Sequence, residues 1–155
     1  MPRRAPRSRR SDCPISITLE LLGDEWSLLV VRDLMFKGLR TFQEFANSGE
    51  GIASNVLAER LARLEAGGIV SRERDAEDRR RVLYRLTEKG IDLAPVMVEI
   101  VLWAARHERT GAPEATVAAM RHHREGFLAE IRQRWEATAG AQSPDSPLRP
   151  SPESS

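Results

Sequence analysis

Two kinds of side chain in this 155-residue chain have the chemistry to act on something else: one cysteine, and arginines gathered into dense blocks. Cys13 stands directly before Pro14, at the start of an expected helix, where backbone N–H groups favour an anionic thiolate, and Arg9 and Arg10 lie nearby. With no second cysteine, oxidation can only link two chains or trap a small thiol or electrophile. The same position also suits a small residue merely tolerated at a helix start, and both readings stay open. Of the 24 basic residues 22 are Arg, five of them among the first ten positions. A second block, RERDAEDRRRVLYR, holds Arg79, Arg80 and Arg81. Arginine forks pair with phosphates and with guanine edges, so two local blocks point to nucleic acid although the formal net charge is only +1. The plainer reading of each block is a solvated surface.

A third set lies in ASNVLAERLARLEAGG, where Val56, Leu57, Leu61 and Leu64 follow helical spacing and Ser54, Asn55, Glu59, Arg60 and Arg63 face elsewhere. Asn pairs with adenine, Glu accepts from cytosine and Arg reads guanine, each pair giving about 1–3 kcal/mol of discrimination. Other chemistries lack their residues. There is no phosphate-cradling glycine loop, nucleophile elbow or zinc-protease helix, and Cys13 has no evident base, so the chain is not expected to be an enzyme. His107, His122 and His123 do not have metal-ligand spacing, and neither metal nor cofactor is expected. The most apolar stretch, residues 91–105, carries Asp92, Pro95 and Glu99, which excludes a membrane span, and no secretory signal is evident. The expected location is the cytoplasm.

These residues need elements to hold them. Residues 1–12 and 140–155, rich in Arg/Pro and Pro/Ser, have little to bury and are expected to be a disordered arm and tail. Between them the pattern predicts helices over 15–22, 25–37 with Asp24 as N-cap, and 42–47 with Thr41 and Glu44 as a capping box. A glycine turn follows, then the helix of 53–66, ended by Gly67 and Gly68. The period changes at 69–74 and 81–86, two short strands around a charged tip. A helix from Thr87 to about Arg109, bent at Pro95, and a last helix over 114–139 complete the chain. This is a mainly α fold with a small β-hairpin wing, in the order of a winged helix-turn-helix. The helix of 53–66 would enter the major groove, and the arginine-rich hairpin of 69–86 would clasp backbone or minor groove.

The runs CPISITLELLGDEWSLLVVRDLMFKGLRTFQEF, GIASNVLAERLARLEAGGIVSRE and YRLTEKGIDLAPVMVEIVLW, spanning roughly residues 13–104, resemble the HxlR-type branch of the MarR-like bacterial regulators. The resemblance implies a homodimeric transcription factor on a pseudo-palindromic duplex DNA operator, with residues 13–110 forming the DNA-binding and dimerisation domain. It implies that the first helix and the helix after the wing build the dimer, and that Arg40 in GLRTF, with Thr41, meets the DNA backbone. A cysteine at the place of Cys13 resembles a redox or electrophile sensor in some members. Trp26, Met97, Val101 and Trp103, with Trp135 and Met35, would then pack the dimer interface or line a pocket for a small-molecule effector.

The chain departs from the family in three places. Ala53 replaces the usual Ser, so capping falls to a neighbour such as Ser54; Asn55 stands where a basic residue is common; and the wing, with Asp78, Arg79 and Arg81, is closer to MarR wings. The helix of 111–139 is additional to the family domain. The competing reading is a dimeric interaction module whose hairpin binds an acidic protein.

Overall fold

The computed structural model describes residues 8–140. The arm before residue 8 and the tail after residue 140 lie outside the described residues. Of the arm's inner end, Arg10 donates from its backbone N–H to Glu20 and from its guanidinium to Ser16 (3.0 and 3.3 Å), so this part is held against the first helix rather than free.

That helix, α1, spans Pro14–Leu22 with proline in its first turn, where a missing N–H costs nothing. The next, α2, spans Ser27–Met35, two residues later than the pattern predicts. The reason is Asp24: its Oδ1 accepts the N–H groups of Trp26 and Ser27, both at 2.9 Å, and so holds residues 25–26 as a turn ahead of the helix. Phe42–Ala46 forms α3, and Thr41 and Glu44 make the expected reciprocal capping box. Ser54–Ala66 forms α4, with Ala53 as an N-cap that supplies no side-chain bond; Ser54 does not take over that duty. The αL conformation of Gly68 (φ 74°) then turns the chain into β1.

Strands β1, Val70–Arg74, and β2, Val82–Leu86, pair antiparallel from Val70 opposite Leu86 to Arg74 opposite Val82. Thr87 caps a short α5, Glu88–Ile91. The expected bent helix of 87–109 is thereby broken in two, because Pro95 sits in the first turn of α6, Ala94–His107, where it starts a helix instead of kinking one. The helix expected over 114–139 is likewise two, α7 (Glu114–His122) and α8 (Arg124–Gly140), divided at His123 (φ −130°, ψ 43°).

One core joins these elements. Val31 of α2, Phe45 of α3, Leu57, Leu61 and Leu64 of α4, Val70 of β1 and Leu86 of β2 are nearly inaccessible, and so is Ile131 of α8 at 2 % exposure. The appended C-terminal helix therefore folds back onto the hairpin and α2. Trp135 donates its indole N–H to the Leu86 carbonyl (2.8 Å), and Arg132 pairs with Glu88 and Asp92 of the α5 segment (3.0 and 2.9 Å).

Candidate nucleic-acid interface

The capping box locks α3 in place, and Phe45, only 1 % exposed, anchors it beneath α4 with its ring 5.9 Å from that of Tyr84. Burial of Leu57, Leu61 and Leu64 fixes the roll of α4. At 100° per residue, Asn55 and Glu59 then stand on the side opposite the core, one turn apart, with Ala58 and Ala62 beside them. Ser54, Asn55, Glu59 and Arg63 are all exposed. The small alanines leave backbone-close surface between the polar side chains, a shape that fits the floor of a major groove.

Arg60 departs from the expected set. Its side chain is 17 % exposed, its Nε lies 2.9 Å from Asp24 Oδ1 and its Nη1 2.7 Å from Glu59 Oε2. It is committed to the start of α2, because its helical angle lies beside the buried face rather than opposite it. Arg63 remains on the surface and leans toward α1, 3.5 Å from the Glu20 carbonyl. Asp24 is the hub of this corner. Burial alone would raise its pKa, but hydrogen bonds from the Ser27 hydroxyl, the N–H groups of Trp26 and Ser27, and Arg60 outweigh burial and hold it at about 2.

In the wing, the three adjacent arginines separate. Arg81 turns back to Asp75 at 3.6 Å, while the guanidinium groups of Arg79 and Arg80 make no ion pair among the described residues. The tip is stiffened by backbone bonds from Asp75 N–H to the Arg81 carbonyl and from Arg81 N–H to the Asp78 carbonyl, both 2.9 Å, and by Arg74 donating to the Arg79 carbonyl. Two cations are thus presented on a braced loop.

Arg40 and Thr41 turn inward. The Thr41 hydroxyl is engaged with Glu44 in the cap, and Arg40 is half-buried, its carbonyl taken by the Tyr84 N–H at 2.7 Å. Arg40 lines a cavity under α8 together with Arg85, the last arginine of the block RERDAEDRRRVLYR, whose turn toward the cavity the pattern does not foretell because alternation in a strand does not reveal a helix arriving from 50 residues away.

The expected effector set is dispersed. Met97 is a core side chain at 6 % exposure, Trp26 and Val101 are half-buried, and Trp103 is 63 % exposed; Met35 and Trp135 line the cavity under α8 instead. Ile15 and Leu19 on α1, and Val96, Ile100 and Trp103 on α6, form two exposed apolar stripes at helical spacing. Cys13 is exposed as N-cap of α1, and the nearby Arg10 guanidinium is directed to Ser16 rather than to the thiol.

A brace helix, an outward-facing second helix and an antiparallel hairpin with an arginine-rich tip define a winged helix-turn-helix protein of the DNA-binding class. Residues 21–111 match the HxlR-like helix-turn-helix family, and the chain belongs to it. It is 38 % identical to the HTH-type transcriptional regulator sll1512 of Synechocystis over 56 % of its own length, and spans 63 % of that relative. Among solved structures it resembles the redox regulator HypR in its oxidised form, with 31 % identity and a TM-score of 0.56 over 63 % of this chain and all of that one. The reduced form of the transcriptional regulator YodB from B. subtilis matches at 33 % identity and a TM-score of 0.53, over 66 % of this chain and all of YodB. The protein is a transcriptional regulator of this family, and helices α7 and α8 lie beyond the matched region. No helix among the described residues is long and apolar enough to cross a membrane.

Proposed function

We propose that this regulator acts in the cytoplasm as a homodimer that reads a pseudo-palindromic operator, with α4 in the major groove and the wing on the flanking backbone. The observation that carries this reading is the division of labour on one exposed side. Asn55 and Glu59 project from a helix whose roll is fixed by its core residues, and Arg79 and Arg80 stand on a stiff tip with no ion pair among the described residues. Base edges carry the sequence and need side chains held in register, whereas phosphate contacts supply affinity and orientation and need only cations placed at the backbone. Ser54 and Arg63 flank the readers, and Arg81 contributes field rather than a contact.

Dimerisation is supported by the two apolar stripes of α1 and α6, whose five large side chains are 43–72 % exposed in the monomer. Control enters through the spacing of the two recognition helices. Cys13 is the candidate switch: the structural relative HypR is described as a redox regulator, and the Cys13 thiol is exposed at the base of the stripe on α1. Two Cys13 thiols, one per chain, would surrender two electrons and two protons to a two-electron oxidant such as a diazene and form one intermolecular disulfide.

The test is fluorescence anisotropy on duplexes from upstream of the protein's own gene and on scrambled duplexes, across a salt series, with and without the oxidant. A thousand-fold or greater preference for one native duplex at physiological salt, altered by oxidant in the parent and not in Cys13→Ser, is the expected result. Equal weak binding to every sequence after a genome-wide binding selection would overturn the reading and favour an acidic protein partner for the hairpin.

A further inference from the structure

A cavity of about 370 Å³ lies between the end of α2, strand β2 and α8, a volume within the range of small-molecule sites. Its walls are apolar, formed by Leu34, Met35, Leu86, Ile91, Ile131 and the Trp135 ring, and among the described residues no aspartate or glutamate lines it. Three arginines do: Arg40, Arg85 and Arg134. The Arg40 Nη2 is the one buried side-chain nitrogen or oxygen among the described residues that has no hydrogen-bond partner. Arg85 is held at its back by the Trp135 carbonyl (3.1 Å), with its guanidinium 4.4 Å from the centre of the Trp135 ring. Burial, then the charge of Arg40, lowers the Arg85 pKa from its ordinary value. The charges of Glu73 and Glu88 oppose this lowering without outweighing it, so the two neighbouring cations in an apolar pocket would be relieved by a bound anion.

We propose that this cavity binds a small organic acid, an aliphatic or arylalkyl carboxylate of about ten non-hydrogen atoms, with its carboxylate on Arg40 and Arg85 and its hydrocarbon body against Ile131 and Trp135. The carboxylate matches the planar donor fork of arginine, and the hydrocarbon body is what distinguishes this ligand from inorganic phosphate. The site exists only because α8, outside the family-matched region, closes over the winged domain.

The bound acid would reach the DNA face through one residue. Arg40 directly precedes the Thr41 cap of α3, and its carbonyl holds the Tyr84 N–H of the wing strand. Drawing Arg40 toward an anion therefore acts on the turn that seats both α3 and β2. This consequence rests on the proposed DNA-binding function; the binding itself does not.

Isothermal titration calorimetry of the full chain with octanoate, 3-phenylpropanoate, 3-phenylpropanamide and inorganic phosphate tests the site. The expected result is one carboxylate per chain, with the amide and phosphate at least ten-fold weaker. Arg40→Met should lose ten-fold or more of the affinity while remaining folded. Ala137→Trp, which plugs the mouth from an exposed position on α8, should abolish binding. No carboxylate binding at millimolar concentration, equal binding of the amide or phosphate, or unchanged binding in both variants overturns the proposal. Anisotropy on the native duplex with saturating octanoate should show a five-fold or larger change in DNA affinity. If the protein binds no duplex at all, the functional reading fails while the calorimetry still decides the pocket.

Discussion

Arg60 Nε lies 2.9 Å from Asp24 Oδ1, which ties the middle of α4 to the turn that begins α2. Asp24 accepts from Trp26, Ser27 and Arg60 at once, so one carboxylate both starts α2 and fixes the pose of α4. The Arg60 guanidinium thus has two of its nitrogens engaged with protein, Nε on Asp24 and Nη1 on Glu59.

That carboxylate should give the fold a distinctive acid sensitivity. Its folded pKa of about 2 lies below the ordinary 3.8, so its stabilisation is present above about pH 4 and is lost as the pH falls toward 2. The shift corresponds to about 2 kcal/mol. Urea unfolding of Asp24→Ala should show a loss of about that size or more at pH 7, and the difference between parent and variant should shrink from about pH 4 downward and be smallest at about pH 2 and below.

Base preference should separate Asn55 from Arg60. Asn55→Ala is expected to relax discrimination at one base pair by about 1–3 kcal/mol, leaving the other positions intact. By contrast, Arg60→Ala should lower stability and weaken all operators together. Anisotropy on a set of singly substituted operators reads both; a position-specific loss for Arg60→Ala would return it to the groove.

The wing arginines should differ in their salt dependence. Arg79→Ala and Arg80→Ala should each reduce the slope of log affinity against log salt by about one, on specific and random duplexes alike. Arg81→Ala should change it less, since Asp75 already engages that guanidinium. Equal slopes for all three variants would remove the distinction.

Docking of α8 should be part of global stability rather than an accessory. Ile131 is 2 % exposed in the shared core, and Ile131→Ala should cost about 2–5 kcal/mol in a single cooperative transition. A cost below about 1 kcal/mol, or a separate early transition, would mean that α8 folds independently of the winged domain.

Much of this protein was legible in residue order. Helical spacing of Leu57, Leu61 and Leu64, the Thr41 and Glu44 cap, the glycines after α4 and the change of period at the wing are local signals, written within one or two turns of the residues they organise. They were enough to name the winged helix-turn-helix and to place its polar face. Even the breaks at Pro95 and His123 left most helical residues correctly assigned, because breaks move boundaries and leave the apolar face alone.

What only the tertiary structure decided are the partners of long, charged side chains. An arginine's reach lets its head choose among carboxylates and carbonyls far away in sequence, and nothing in the spacing of Arg40, Arg60, Arg81 or Arg85 says which is nearest after folding. Arg60 met Asp24, Arg81 met Asp75, and Arg85 met the Trp135 carbonyl, while Arg79 and Arg80 make no ion pair among the described residues. The docking of α8 was invisible for the same reason. Ile131 and Trp135 announce an apolar face by their period, but the surface that buries it exists only once α2 and β2 have packed together.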